Sequence, residues 1–327
     1  MVRTAATEGV GDTMTIQSGT MQSGPVPDRL DPDLSAIMSA RRQLINLAYR
    51  LLGSLTDAED AVQEAYARWC AMSRPQREAI ETPGAWLSTV TSRICLDLLG
   101  SARARRERYV GEWIPEPLPE HGEWTTGPGR ASADPADRVT LDESINMAFL
   151  IVLESMTPAE RVAFVLHDVF GYPFAEVAEI VGRTPAACRQ LASSARRRIS
   201  ASLAPTPPSA QNAGVVRAFK QAWEAKDIHS LIGLLDPDAI AVADGGGLVS
   251  AVLHPVEGAE EVARGAVGLF GGVPGLTILE RTVNGSPGLV IQQDGVTVTV
   301  VAFDIVDGLI KHIWGIRNPE KLRPWRT

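Results

Sequence analysis

The sequence predicts a multidomain protein in which two all-α domains, the second with a helix-turn-helix, precede an α+β domain with a curved mixed sheet around a pocket. Apolar residues recur at helical spacing through residues 33–110 and 138–203. In residues 212–327 the pattern changes to helices followed by short strands and hairpin turns. Pro- and Gly-rich stretches at 111–137 and 204–211 separate these blocks and predict linkers.

The composition excludes several classes of protein. Residues 1–28 are rich in Gly, Ser, Thr and Met without periodicity, which predicts a disordered leader. The three cysteines lie far apart, so we expect neither a disulfide framework nor a metal site, and we predict no cofactor. The apolar runs are too short to span a bilayer, and the N-terminus has no hydrophobic signal core. We therefore expect a soluble cytoplasmic protein without membrane contact.

Three apolar stripes predict three helices in the first block. The motif Thr56-Asp57-Ala58-Glu59 predicts a capping box that opens the second helix. The stripes are Leu44, Leu47, Ala48 and Leu51; Val62, Ala65, Tyr66 and Trp69; and Leu87, Val90, Ile94 and Leu98.

Polar side chains on two faces of these helices are candidates for function. The face on the second helix is acidic, and its simplest interpretation is a helix surface exposed to solvent. Interleaved aromatic and basic residues on the third helix suit melted DNA, where bases stack on rings and Arg follows phosphates, although a packed Trp beside a basic tail is an equal alternative. The second helix presents Asp57, Glu59, Asp60, Gln63 and Glu64, and the third presents Trp86, Ser88, Ser92 and Arg93 outward, followed by Arg103, Arg105, Arg106 and Arg108.

Residues 156–203 predict a DNA-reading helix-turn-helix with the turn Gly182-Arg183-Thr184. Between Arg183 and Ser200 there are five arginines and no acidic residue. A helix that enters the major groove needs small side chains and hydrogen-bond donors on one face. A helical hairpin with a solvated basic face is the alternative. The predicted DNA-contacting residues of this unit are Arg183, Thr184, Ala186, Arg189, Gln190, Ser193, Arg196 and Arg197, opposite the inward residues Cys188, Leu191, Ala195 and Ile199.

The third block predicts two helices, a hairpin, a helix and a strand meander. The dipeptides Asp294-Gly295 and Asp307-Gly308 predict hairpin turns. The predicted helices are 212–226, 228–235 and 257–270; the predicted strands are 239–243, one after the turn Asp244-Gly245-Gly246-Gly247, 276–283, 288–293, 296–304 and 309–315.

Several of these motifs, taken together, resemble an extracytoplasmic-function sigma factor of bacterial RNA polymerase over residues 35 to 203. They are Asp57-Ala58-Glu59-Asp60-Ala61-Val62-Gln63-Glu64, Pro83-Gly84-Ala85-Trp86-Leu87, Met156-Thr157-Pro158-Ala159-Glu160-Arg161 and the helix-turn-helix. The resemblance implies polymerase core, through its β′ clamp helices and β subunit, and promoter DNA as partners. It implies that the acidic helix docks on the clamp helices, that the loop Met72 to Thr82 captures a flipped base of the minus-ten element, and that the second domain reads the minus-thirty-five element. It also implies that the linker passes through the active-site cleft and the RNA exit path of the polymerase.

Three further motifs resemble the signatures of the subgroup fused to a SnoaL-like domain: Trp113-Ile114-Pro115-Glu116-Pro117, Asp244-Gly245-Gly246-Gly247 and Asn318-Pro319-Glu320-Lys321-Leu322. Only Ile114 departs from the pattern, where Leu is usual. The resemblance implies self-regulation, with the fused domain on the linker and the sigma domains in a compact arrangement. We expect the tail from Asn318 to Arg323 to make a separate activating contact.

Two other functions stay open for the C-terminal domain. Related cones isomerise steroids or cyclise polyketides with an Asp or His base, for which Asp244, His254, Asp304 and His312 are the candidates. Nothing in their spacing assembles an acid and a base, so we assign no catalytic residue. The pocket also suits a small-molecule sensor, although no particular ligand follows from the sequence.

Overall fold

The computed structural model describes residues 32–106, 109–119, 145–202, 209–270 and 274–326. The predicted leader at 1–28 and residues 120–137 of the predicted linker lie outside the described residues. No helix in the described part of the chain is long and apolar enough to cross a membrane.

The first block contains four helices: α1 (Pro32–Leu52), α2 (Leu55–Ala71), α3 (Arg74–Glu78) and α4 (Pro83–Arg106). The N-cap of α2 is Ser54, whose hydroxyl accepts from the Asp57 amide at 3.2 Å. The prediction that Thr56 opens this helix is therefore wrong, because the helix begins one residue before it and Ser54 satisfies the amide. One short helix, α3, occupies part of the predicted loop from Met72 to Thr82.

The second block contains α5 (Met147–Glu154), α6 (Pro158–Phe164), α7 (Phe174–Val181) and α8 (Pro185–Ser202). Thr157 and Glu160 form a capping box at the start of α6, which continues into a π-helical turn at Val165–Val169. Gly182 ends α7 with φ of +68°, the left-handed conformation that glycine adopts without strain. The turn between α7 and α8 thus lies where the sequence predicted it.

The two helical blocks pack together. Their buried residues form one continuous apolar core. Arg161 of α6 is buried; its Nη1 donates to the Leu51 carbonyl at the end of α1 (2.9 Å) and to Glu154 (2.7 Å). The guanidinium therefore joins the second block to the first helix of the chain.

The third block combines three helices with one six-stranded sheet in the order β2-β1-β6-β5-β4-β3. Because β1 runs parallel to β6 and the other neighbours are antiparallel, the predicted mixed sheet is confirmed. Helix α9 begins at Ser209, inside the stretch predicted as linker. The elements are α9 (Ser209–Glu224), α10 (Ile228–Leu234), β1 (Leu235–Asp244), β2 (Val256–Glu257), α11 (Ala259–Phe270), β3 (Leu276–Val283), β4 (Ser286–Gln293), β5 (Val296–Val306) and β6 (Leu309–Ile316).

Both predicted hairpin turns are confirmed, since Asp294-Gly295 and Asp307-Gly308 have positive φ at both residues. A third turn of the same geometry, Asn284-Gly285, joins β3 to β4. One face of the sheet packs on α9, α10 and α11. The other face packs on α5 and on Ile114, so it lies against the first two blocks.

Candidate functional site

The outward face of α8 has the predicted chemistry. All eight residues predicted to contact DNA, from Arg183 to Arg197, are exposed, while Cys188, Ala192 and Ala195 are buried. Two of its arginines have partners inside this block: Arg189 lies over the Phe174 ring, 5.5 Å from its centroid, and Arg196 donates to Asp168. The face presents a row of guanidinium and amide donors to solvent.

The predicted DNA-contacting residues of α4 do not share one exposed face. Arg93 is exposed, and its Nη2 donates to the Glu179 carbonyl of α7 at 3.1 Å. Trp86 is half-buried, with its ring tilted against Trp69 at 5.3 Å between centroids. Ser92 is 0% exposed, so its predicted outward position is wrong, and Ser88 is buried as well. The reason is that α4 packs on α1 and α2 and also on α6 and α7, so both of its sides are covered.

The acidic face of α2 remains accessible. Asp60, Gln63 and Glu64 are exposed, whereas Asp57 and Glu59 are half-buried. Glu64 forms an exposed ion pair with Arg68 one turn on, at 2.9 Å. A groove between α1 and α2 is lined by Glu59, Asp60 and Gln63 together with Arg41, Val62 and Tyr66. The carboxylates therefore lie on a free surface suited to a basic partner.

The carboxylate of Asp244 joins the three motifs that resemble the signatures of the fused subgroup. Asp244 ends β1 and is 0% exposed. Its Oδ2 accepts from the Lys321 ammonium at 2.6 Å and from the Ile114 amide at 3.1 Å. Its Oδ1 accepts from the Tyr109 hydroxyl at 2.6 Å and the Gly246 amide at 3.0 Å. Four donors compensate the buried charge, as a carboxylate inside a protein requires.

Lys321 is the cation of this cluster. Its ammonium also donates to the Ile114 carbonyl and lies 4.2 Å from the centroid of the Trp113 ring and 5.2 Å from that of Tyr109. A desolvated ammonium against an aromatic face gains a cation–π interaction. Burial and the Asp244 carboxylate raise the pKa of the Tyr109 hydroxyl, so it stays a neutral donor. The Trp113 ring therefore packs against a cation.

The glycine turn packs on Tyr109 and on the tail. Gly246 has φ of +62°, and a Cβ there would lie 2.7 Å from Asn318 Cγ and 3.0 Å from the Tyr109 hydroxyl. Asn318 Nδ2 donates to that hydroxyl at 2.8 Å, and the Asn318 amide donates to the Asp244 carbonyl at 2.9 Å. Asn318 and Lys321 therefore belong to the same cluster as Asp244 and the linker, and the expected activating role of the tail stays a prediction.

Glu116 connects the linker to the acidic helix. Its Oε2 accepts from the Leu55 amide, the first residue of α2, at 2.7 Å, and its carbonyl accepts from the Tyr49 hydroxyl at 2.6 Å. Burial raises the pKa of this carboxyl, against the opposing effect of the Leu55 amide. The linker thus supplies an acceptor to the amino end of α2, where carboxylates are favoured.

Asn284 of the C-terminal domain contacts the linker and both helical blocks, and it was not predicted from the sequence. It exchanges backbone and side-chain hydrogen bonds with Leu118 of the linker, at 2.9 Å and 3.0 Å. Its Nδ2 donates to the Tyr49 hydroxyl of α1 at 2.8 Å and to the Ile145 carbonyl before α5 at 2.9 Å. The two described ends of the segment between Pro119 and Ile145 therefore meet at one buried side chain. The Asn-Gly dipeptide signals the hairpin, but nothing in the sequence signals these partners.

The catalytic candidates do not assemble around one pocket. His312 Nδ1 lies 3.0 Å from Asp304 Oδ2, and the His312 ring stacks on Trp314. These side chains are on the sheet face of Trp314, opposite the face covered by α9, α10 and α11. Asp244 is engaged with Lys321, and His254 lies exposed in a loop. Among the described residues no cluster of three or more His, Cys, Asp or Glu could hold a metal.

Comparisons with known proteins cover nearly the whole chain. Residues 36–105 match the family model described as Sigma-70 region 2, and residues 147–199 match Sigma-70, region 4. The chain is 38% identical over 303 residues to ECF RNA polymerase sigma factor SigJ of Mycobacterium tuberculosis (strain ATCC 25618 / H37Rv), a match that covers 88% of this chain and 93% of SigJ. It is 37% identical over 300 residues to the probable ECF sigma factor SigI of the same strain, covering 91% and 97%.

The likeness extends to three dimensions and includes the C-terminal domain. The crystal structure of Mycobacterium tuberculosis SigJ matches this fold with a TM-score of 0.68 at 36% sequence identity, over 89% of this chain and 98% of that one. Two sigma regions at the predicted places and full-length relatives above 30% identity lead to one conclusion: the chain belongs to the extracytoplasmic-function sigma factors of RNA polymerase.

Proposed function

We propose that this sigma factor recruits polymerase core in the cytoplasm through the acidic face of α2, directs it to promoters through α4 and α8, and is held inactive in cis by its C-terminal domain. The exposed carboxylates of Asp60 and Glu64 support the docking role, because they face solvent on a helix that is otherwise well packed. The exposed donors of α8 support the role in reading DNA.

The burial of the linker is the observation that carries the cis-control. Residues 114–118 are all buried, held by Asp244 and Lys321 at one end and by Asn284 at the other. A linker held in this way is not free to extend. Because the C-terminal domain supplies all three of these residues, we expect its removal to release both ends of the linker, while Glu116 keeps its contacts with α1 and α2.

The spacing of the promoter elements gives a reason why the two sigma regions must move apart. The minus-ten and minus-thirty-five elements are about 25 base pairs apart, or about 85 Å at 3.4 Å per base pair. The two sigma regions here share one apolar core, and Arg93, a predicted DNA contact, is bound to the backbone of α7. Simultaneous engagement of both elements therefore requires the two regions to separate.

Run-off transcription with purified core polymerase tests the proposal. We expect a chain that ends after Ala204 to initiate from cognate promoters more strongly than the full chain, at equal occupancy of core. Equal transcription by both chains contradicts control in cis. Absence of any transcript from a genomic promoter library with either chain contradicts the role in initiation itself.

Arg189 offers a test of promoter reading that is independent of regulation. Replacement by Ala should cost about 1–3 kcal/mol of holoenzyme binding if the guanidinium makes a bidentate contact with a base. The loss should be confined to one position of a base-substitution panel of the upstream element. A uniform loss across the panel identifies a phosphate contact instead.

We propose no catalytic role for the C-terminal domain. Its most deeply buried acid, Asp244, has both carboxylate oxygens engaged, so it has no free position for a substrate proton. Screens of Asp304→Asn and His312→Ala for altered transcription and for turnover of candidate ligands check this assignment.

A further inference from the structure

The guanidinium of Arg196 is held by a neighbouring helix. Its Nε donates to Asp168 Oδ1 at 2.6 Å, and the two side chains are 47% and 21% exposed. The other carboxylate oxygen, Oδ2, is buried and has no hydrogen-bond partner among the described residues. The carboxylate therefore faces the interior on one side and the proposed DNA-reading helix on the other.

The position of Asp168 is set by the core. It lies in the π-helical turn Val165–Val169, which follows α6 and is closed by a hydrogen bond from the Phe170 amide to the Val165 carbonyl at 3.1 Å. Val165 and Leu166 of this turn are fully buried. Single π-helical turns inside helices recur at functional positions, where they shift side chains relative to a regular helix. Here the turn anchors an acid beneath α8.

The same turn supports a second arginine. His167 stacks on the Phe174 ring, with 3.7 Å between centroids, and Arg189 lies over that ring. Two adjacent residues of one rigid turn are thus linked to two arginines of the exposed face of α8. Such support is typical of side chains that must be held in one orientation to function.

The geometry of the guanidinium determines which N–H donors of Arg196 remain available when it is paired with Asp168. Arginine has five N–H donors in a rigid planar fork, and Asp168 uses the one on Nε. The donors on Nη1 and Nη2 can still bind two oxygens of one phosphate. Fixing the fork before binding reduces the entropy that is lost on contact, whereas the negative charge of Asp168 opposes the approach of DNA.

We propose that Asp168 is a positioning residue for promoter recognition, holding Arg196 so that its outer edge meets a backbone phosphate of the upstream element. This rests on the proposed function of α8. The charge of Asp168 and its positioning role predict opposite effects of its replacement. By charge alone, removal of an acid near DNA should tighten binding. Loss of positioning should weaken it.

The test measures promoter binding by holoenzyme assembled from core polymerase and the full chain. Asp168→Asn should weaken binding about fivefold, the upper range for an exposed ion pair. It should also lower the slope of log Kd against log salt by about one, as expected when one phosphate contact is lost. Asp168→Glu retains the charge but moves the carboxylate by one methylene, and it should weaken binding by a smaller factor. Glu176→Gln removes an exposed acid of α7 as the matched control and should leave binding unchanged or slightly tighter.

Combination with Arg196→Ala shows whether Asp168 acts through that arginine. We expect Asp168→Asn to cause no further loss of binding once Arg196 is replaced, since the two share one contact, and any remaining effect should be the slight tightening that removal of the negative charge predicts. Tighter or unchanged binding by Asp168→Asn, or additive losses in the double variant, overturns the proposal. If Asp168→Asn does not unfold cooperatively, the Asp168→Glu variant decides the question alone. In that variant the charge is retained, so wild-type affinity for the promoter overturns the positioning role. A wild-type holoenzyme without promoter preference contradicts the proposed function instead.

Discussion

The ammonium of Lys321 lies 2.6 Å from the carboxylate of Asp244, and this ion pair is buried where the linker crosses the C-terminal domain. Charges removed from water need partners, and here each also binds the backbone of Ile114. The pair therefore couples the stability of the C-terminal domain to the position of the linker.

Lys321→Met should open this contact. Loss of one partner of a buried pair costs about 3–5 kcal/mol, and the three donors that remain on Asp244 place the expected loss in unfolding free energy near the lower end. Denaturant unfolding measures the loss, and run-off transcription should rise because the linker is freed. Lys311→Met, an exposed lysine of β6, is the control. If Lys321→Met lowers stability but leaves transcription unchanged, the ion pair stabilises the fold without controlling transcription.

Asn284→Ala should release the linker at its other end. The replacement leaves the buried Leu118 amide and Ile145 carbonyl without their partner, at a cost of at least about 2 kcal/mol. Asp307→Ala is a close control, because Asp307 has φ of +52° against +50° for Asn284 but lies exposed in its hairpin. Thermal unfolding and transcription should change in the first variant far more than in the second. Similar changes in both mean that the left-handed backbone is responsible, not the linker contacts.

Gly246→Ala should disturb the glycine turn by steric overlap. The added Cβ would lie 2.7 Å from Asn318 Cγ. Gly295→Ala has a comparable backbone cost, since Gly295 has φ of +80°, but its Cβ would meet nothing within 4 Å. The control should lose about 1–2 kcal/mol of stability and retain regulation, as backbone strain alone predicts. Gly246→Ala should lose more and transcribe more in the run-off assay. Equal behaviour of the two alanine variants removes the turn from the regulatory interface.

Reversal of charge on α2 should prevent docking. Asp60→Lys with Glu64→Lys places like charges against the basic surface expected of the partner, and like-charge contacts cost several kcal/mol at an interface. Both residues are exposed, so circular dichroism should show an intact fold. Binding to core polymerase, measured by fluorescence anisotropy, should be lost. The paired reversal of Asp238 and Glu257, exposed on β1 and β2, should retain it. Wild-type affinity in the α2 variant contradicts the docking face.

Stability should depend on pH through Glu116. Burial raises its folded-state pKa above the ordinary 4.5, so the folded chain keeps this proton longer than the unfolded chain. The contribution of the carboxyl to stability is therefore complete below pH 4.5 and is lost as pH rises through the folded-state pKa. The unfolding free energy of the wild type, relative to Glu116→Gln, should fall as pH rises above 4.5. Glu257→Gln controls for removal of a carboxyl elsewhere. A constant difference between wild type and Glu116→Gln over this range contradicts the assignment.

Elements that depend on near neighbours could be predicted from the sequence. The apolar stripes of α8 and the Asp307-Gly308 turn are decided within a few residues, by helical period and by left-handed backbone. The position of Ser92 could not be predicted in this way. Periodicity assigns one buried face to a helix, whereas α4 is covered from two sides because the two sigma regions share a core.

The contacts between the linker and the C-terminal domain show the same division between what the sequence predicts and what it does not. The three motifs at Trp113, Asp244 and Asn318 were recognisable as motifs, yet neither Tyr109 nor Asn284 was a candidate. Tyr109 reaches Asp244 across 135 residues, and Asn284 reaches Tyr49 across 235. No local pattern encodes a partner at that separation, because such a contact depends on how whole domains dock.

The sequence by itself determined the kinds of element, the order of the domains and the chemistry available to each helix face. The tertiary structure alone decided which groups meet: that Lys321 neutralises Asp244, that Glu116 caps α2, and that one amide of Asn284 holds α1 and the chain before α5 together. The physical reason is the cost of burial. Helix and turn formation are set by short-range backbone geometry, but buried charges and amides must find partners wherever close packing places them.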